Sequence, residues 1–297
     1  MTQFIHSLIG SLVASFVIVL LIALLAAVVN YLFPAFREWT EYFLFIVILL
    51  AVLRPAFDQV MLIRTMMKST AALFVSSYPI LTAGMAISGN ALNLISFQPA
   101  LLLFAHGAVF FADRLLLPLM ITAMLLDVIT RMNPQIPYSK LSDMLRTTLL
   151  AFVSAVVAAY SIFITAGGAV TFGLSESASE PLKELIRQNV PFVGSFLTDS
   201  LGAIGRYSSG AGTLAGGWML VTLWGIAALP VLQTLLIAFL YRWTAALIEP
   251  FAAEAFSDVL DDIGRSLFVL SAITFLLIFA FIYTVLFFIA FIKLMGS

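Results

Sequence analysis

The stretch LFVLSAITFLLIFAFIYTVLFFIAFI, residues 267–292, decides the fold. Its 26 residues include no Asp, Glu, Lys or Arg. As an α-helix it extends about 39 Å, more than the roughly 30 Å hydrocarbon core of a bilayer. The rest of the chain is similar in kind. Hydrophobic residues make up 63% of 297 residues and charged residues 10%, against about 45–50% and about 25% in a soluble domain. Mean hydropathy is +1.13. A globule of this size needs polar cover that this chain does not have. The expectation is an all-α polytopic membrane protein with the lipid bilayer as solvent. That leaves no room for a soluble catalytic domain, a coiled coil or a disordered tail.

Charge and composition exclude further classes. The chain has 14 Lys and Arg against 15 Asp and Glu, a formal net charge of −1. No basic excess exists to neutralise a phosphate backbone, so no nucleic acid partner is expected. There is no Cys, which removes disulfides, thiolate sites and Cys nucleophiles. Two His, His6 and His106, cannot build a multi-His metal centre, and no cofactor is expected.

Working outward from residues 267–292, the apolar blocks number about seven, within a range of six to eight. They fall at 8–29, 42–63, 70–95, 99–129, 149–172, 214–240 and 267–292. The first ten residues carry no Lys or Arg, and the run that follows is long enough to span, so it reads as a retained helix rather than a cleaved signal. Arg54-Pro55 interrupts the second block. The fourth is too long for one straight span and holds Asp113, Arg114 and Pro118, which predicts a break near 113–118. A polar, Gly-rich segment covers 173–212. Placing 54–68, 131–146 and 242–265 in the cytoplasm puts eight basic residues there and five opposite, with Arg114 inside the membrane.

Several polar residues invite a role. An ionisable group within a span is costly and faces protein or water. Asp113 and Arg114 therefore form a polar lining or an interhelical ion pair, or else mark an interface between two shorter helices. Asn90 and Asn93, three apart, share a helical face. With His106 they cross-link neighbouring helices, the commoner case, or line a pore. Asp127 reads as a helix-end residue. Residues 175–187 read as a short amphipathic surface helix. Residues 189–204, with Pro191, Gly194 and Asp199, read as a re-entrant hairpin or a surface loop. In the acidic helix 249–265, Glu254, Asp258 and Asp262 follow i, i+4 spacing and share one face. That face either docks a basic partner or is simply solvated, the commoner outcome. Gly212 and Gly216 form a GxxxG, which brings helices together or merely precedes one.

Enzyme motifs are missing. There is no phosphate-binding loop, no HExxH and no GxSxG elbow. Any movement of material would draw on a gradient or on a separate ATPase.

Four stretches carry a resemblance. They are MNPQIPYSKLSDMLRTTL at 132–149, VPFVGSFLTD at 190–199, LYRWTAALIEP at 240–250, and Ile263-Gly264-Arg265-Ser266-Leu267. In this order they resemble the stage III sporulation protein AE family, through Ser139, Lys140, Leu141, Leu145 and Arg146, then Pro191, Val193, Gly194 and Asp199, then Tyr241, Ala245, Ala246, Leu247, Ile248 and Pro250. Glu249 stands where the family pattern has Gln. The longer leading region and signal-like start usual in the family are not seen. The resemblance implies a non-enzymatic membrane subunit of a channel-like complex joining mother cell and forespore. It implies the mother-cell-derived outer forespore membrane as location. It implies other membrane subunits and a secretion-type ATPase as partners, and a role after engulfment. It carries over no catalytic residue. The alternative class is a stand-alone transporter using the same polar residues.

Overall fold

The computed structural model describes residues 37–87, 103–132, 138–171, 211–250 and 254–296, with scattered positions between 17 and 32. Among the described residues every regular element is helical. Five helices follow in order: α1 (Arg37–Ile87), α2 (Leu103–Met132), α3 (Ser139–Thr171), α4 (Ala211–Ile248) and α5 (Glu254–Gly296). Each contains a segment long and apolar enough to cross a membrane. The protein is a polytopic helical membrane protein. The expected first span is described at a few positions, of which Val17, Leu21, Leu25 and Val28 are helical and exposed. Residues 172–210 lie outside the described residues.

Two boundaries differ from the sequence reading. Blocks 42–63 and 70–95, expected as separate spans, are one helix as far as Ile87. At 51 residues α1 is about 77 Å long. The reason lies in its buried stripe. Val52, Ala56, Gln59, Val60, Ile63, Met66, Met67, Thr70, Ala71 and Phe74 recur every three or four residues straight through the charged section. Arg54, Asp58, Arg64 and Lys68 fall between those positions and leave the helical period unbroken. The expected break near 113–118 is also absent. Ala112–Leu116 instead forms a π turn, and the helix continues as Leu117–Met132. Pro118 has no N–H to donate, and a wider turn just before it absorbs that loss without ending the helix.

The chain divides into two compact units. The first comprises Met1–Thr65, Ala112–Ala151 and Leu229–Thr274. Hydroxyls tie its helices to one another. Tyr241 Oη donates to the Val52 carbonyl at 3.1 Å, Thr234 Oγ1 to Gln59 Oε1 at 3.2 Å, and Ser271 Oγ to the Val231 carbonyl at 3.2 Å. Phe45 packs on Phe256, and Phe239 edge-on against Phe268.

The second unit comprises Met66–Phe111, Phe152–Ala228 and Phe275–Ser297. Among the side chains described there, Lys68 is its only Asp, Glu, Lys or Arg. Aromatic rings pack against one another there. Phe104 lies flat on Tyr160, with ring centroids 3.7 Å apart, and both Phe74 and Phe104 meet Phe281. Tyr160 Oη and Thr284 Oγ1 share a buried hydrogen bond of 2.8 Å. Thr284 also donates to the Ala280 carbonyl, so neither hydroxyl is left unsatisfied in an apolar medium.

Glycine sets the α4–α5 approach in the first unit. A Cβ at Gly264 would lie 2.7 Å from Arg242 Cγ and 3.0 Å from the Ala238 carbonyl oxygen. The carbonyl belongs to a helix backbone and cannot step aside. Gly264→Ala is expected to destabilise by about 1–3 kcal/mol, as overpacking does. A Cβ at Gly225 meets nothing within 4 Å, so Gly225→Ala is expected to be neutral or mildly stabilising. Thermal unfolding of the two variants in detergent checks the contrast.

Candidate functional site

The first unit encloses a network of ion pairs, built from the facing ends of α2 and α3 upward. Residues 133–137 lie outside the described residues, but the helix ends on either side are tied. The Tyr138 amide donates to Thr130 Oγ1 at 3.0 Å, and the Tyr138 carbonyl accepts from the amides of Leu141 and Ser142. These bonds satisfy backbone groups that open a helix. They place Ser142 and Arg146, one turn apart on α3, opposite Asp127 on α2.

Arg146 is the hub. Its side chain is 3% exposed and that of its partner Asp127 2%. Ser142 Oγ donates to the other oxygen of the Asp127 carboxylate and to the Ser139 carbonyl. Arg146 reaches further. Its Nε donates to Ser266 Oγ on α5 at 2.8 Å, its Nη1 to Asp143 at 2.9 Å, and its Nη2 to the Asp262 carbonyl at 3.3 Å. A planar guanidinium with five N–H groups suits this convergence. One side chain thereby fixes three helices.

A second layer surrounds the hub. Arg131 on α2 pairs with Asp258 at 2.5 Å and with Asp262 at 3.1 Å, both on α5. Arg265 bridges Asp143 and Asp261, at 3.2 and 3.5 Å. Arg242 on α4 donates to Asp261 at 2.8 Å. Arg265 and Asp143 are 45% and 53% exposed, so this rim pair contributes little to stability. The hub is different in kind, because a buried charge without its partner is strongly destabilising. Four arginines meet five aspartates here, and every one of them has an opposite charge in contact.

The residues singled out from sequence fall as follows. Asp113 pairs with Arg64 of α1, Nε to Oδ1 at 3.0 Å, an ion pair between helices. Arg114 is exposed on the π turn and makes no ion pair among the described residues. His106 is exposed on α2. Glu254 opens α5. Asp258 and Asp262 both pair with Arg131 of the same chain. Asn90, Asn93, Pro191, Gly194 and Asp199 lie outside the described residues.

Sequence reasoning missed the hub. Asp127, read as a helix-end residue, is buried. A signal was available: Asp127 and Arg131, Ser142 and Arg146, and Asp258, Asp262 and Ser266 each repeat polar groups at four-residue spacing on otherwise apolar helices. Three such stripes imply a common polar seam. Chemically the seam holds charge in place. Among the described residues no group of three or more His, Cys, Asp or Glu is arranged to hold a metal ion.

Comparison with known proteins agrees with the resemblance. A family model described as Stage III sporulation protein AE matches residues 1–292. A curated relative, Stage III sporulation protein AE of Bacillus subtilis (strain 168), is 25% identical over 191 residues. That alignment covers 63% of this chain and 47% of the relative, so the chain spans about half the length of the curated relative it matches. No solved structure matches the chain.

Removing one partner of the hub should cost far more than removing both. Arg146→Met alone leaves Asp127 buried without a countercharge, an expected loss of about 3–5 kcal/mol. Pairing it with Asp127→Asn should recover most of that loss. A double-mutant cycle of thermal stability in detergent gives the coupling, and additive losses would contradict it.

Proposed function

The chain belongs to the stage III sporulation protein AE family, and from that premise we propose that it is a non-enzymatic membrane subunit of a channel complex between mother cell and forespore. Its place is the mother-cell-derived outer forespore membrane. It works there beside other membrane subunits and a secretion-type ATPase, and forespore development after engulfment depends on it. The observation that carries this reading is the state of the charges in the network around Arg146. Arg131, Arg146, Arg242 and Arg265 are all engaged by aspartates of the same chain. Charges neutralised in this way hold helices in register and are not poised to bind or transform a substrate. A scaffold subunit uses polar groups so; a transporter keeps some of them open to its cargo.

The experiment sets cells against vesicles. In a spore-forming host whose own copy is replaced by this chain, Arg146→Met should block development after engulfment is complete. The Asp127→Asn/Arg146→Met pair should restore a large part of it, as the stability cycle does. The purified wild-type protein in lipid vesicles should move no solute alone. Solute movement by the purified protein, lost on changing Asp113 or Arg114, would instead establish a stand-alone transporter.

A further inference from the structure

The charges of α1 and α2 at Arg64, Asp113 and Arg114 stand apart from the network above, and their depth can be worked out from the contacts. Tyr241 donates to Val52, and Thr234 to Gln59. Both members of the second pair lie seven residues from those of the first, so α1 and α4 run antiparallel in register. Five residues beyond Gln59, Arg64 stands at the level of Leu229. Trp243 of α4 is 66% exposed and follows Arg242, within the ring of half-exposed charges formed by Asp143, Asp261 and Arg265. Tryptophan and basic groups together mark a membrane–water interface. From Trp243 to Leu229 is 14 residues, about 21 Å of helix. That is half of a bilayer about 40–45 Å thick with its headgroups.

The three charges therefore sit near the middle of the membrane, and they face outward. Arg64 is 41% exposed and Asp113 19%. Asp113 accepts from two nitrogens of Arg64, at 3.0 and 3.5 Å. Arg114 is exposed without an acidic partner among the described residues. Its neighbour on α2, Leu115, is apolar and exposed as well. An outward arginine at this depth is costly against hydrocarbon, and lipid tails offer it no acceptor. Headgroup phosphates are about 20 Å away by the same reckoning. The π turn that carries Arg114 is a form of helix found disproportionately at functional positions.

We propose that this face of α1 and α2 docks a membrane-spanning helix of a different protein, whose mid-span carboxylate pairs with Arg114. A second copy of this chain is the poorer occupant. Along α1 and α2 each copy carries Arg54, Arg64, Lys68 and Arg114 against Asp58 and an Asp113 already held by Arg64, so a symmetric pairing would bring positive faces together in a medium of low dielectric. A helix with an Asp or Glu at that depth neutralises the patch, while its apolar residues cover Leu115. The proposal rests on depth and charge alone and does not require the channel reading.

The test uses the full chain in membranes of cells in which it functions. A photoreactive phenylalanine analogue replaces Leu115. The expected result is an adduct to a different membrane protein, with an Asp or Glu in the middle of the captured span. Arg114→Glu and Arg114→Gln should each abolish that adduct, and replacing the partner's acid by Arg should restore it to the Arg114→Glu chain. Because the chain has no Cys, a Gln59→Cys/Thr234→Cys thiol cross-link reports that each variant is folded. Adducts confined to lipid or to a second copy would overturn the proposal. So would a partner span without a carboxylate, or an adduct that survives in a folded Arg114→Glu chain.

Discussion

A guanidinium buried among apolar helices must meet negative charge where it lies, and Arg146 meets this demand from three helices at once. Asp127 of α2 neutralises it, Ser266 and the Asp262 carbonyl of α5 accept its remaining protons, and Asp143 receives the end nearest water. None of these contacts can be lost singly without leaving a buried donor or charge. The register of α2, α3 and α5 is therefore fixed to within a hydrogen-bond length. The outer pairs depend on that register. Arg131 reaches Asp258 and Asp262, and Arg265 reaches Asp143, only because the hub has already set the helices at the right height. Gly264 extends the constraint to α4, by letting Arg242 lie against α5 and meet Asp261.

The two units answer the same problem with different means. Helices in a bilayer gain little from the hydrophobic effect when they associate, so packing and polar contacts must supply specificity. The first unit uses charge, and its charges sit mainly at helix ends. The second uses shape. Phe104, Tyr160 and Phe281 interlock, and one hydroxyl pair, Tyr160 with Thr284, fixes their orientation. With Lys68 the sole charged residue among its described side chains, that unit is suited to hydrocarbon.

How much of this was legible in the sequence depends on the range of the interaction. Apolar blocks reveal membrane helices because span length is a local property, and residues 267–292 alone settle the class. Boundaries were less legible. Arg54, Arg64 and Lys68 read as a loop when charges are counted, yet they ride on one face of a continuous helix. The acidic stripe at 254–262 was visible, but not its cover, since Arg131 lies 131 residues before Asp262. Asp113 stands out in sequence for its cost in a span, whereas its partner Arg64, 49 residues earlier, reads as part of a charged loop. Pairing between distant segments leaves no trace in a single sequence beyond matching four-residue repeats. Those repeats, at Asp127 and Arg131 and at Ser142 and Arg146, were the one overlooked clue.

The stretches that carry the family resemblance gain a physical meaning once the network is seen. Ser139 and Arg146 come from the first, Tyr241 from the third, and Gly264, Arg265 and Ser266 from the last. In the first unit they meet. Ser139 accepts from Ser142, Arg146 donates to Ser266, Tyr241 ties α4 to α1, and Gly264 admits Arg242. The second stretch, 190–199, lies outside the described residues. Motifs of an enzyme family converge on a cavity where a substrate can sit. Arg146, Ser266 and Arg265 here lie in a seam where each already has a polar neighbour from the same chain. What this chain shares with its family at those positions is thus a way of holding helices together.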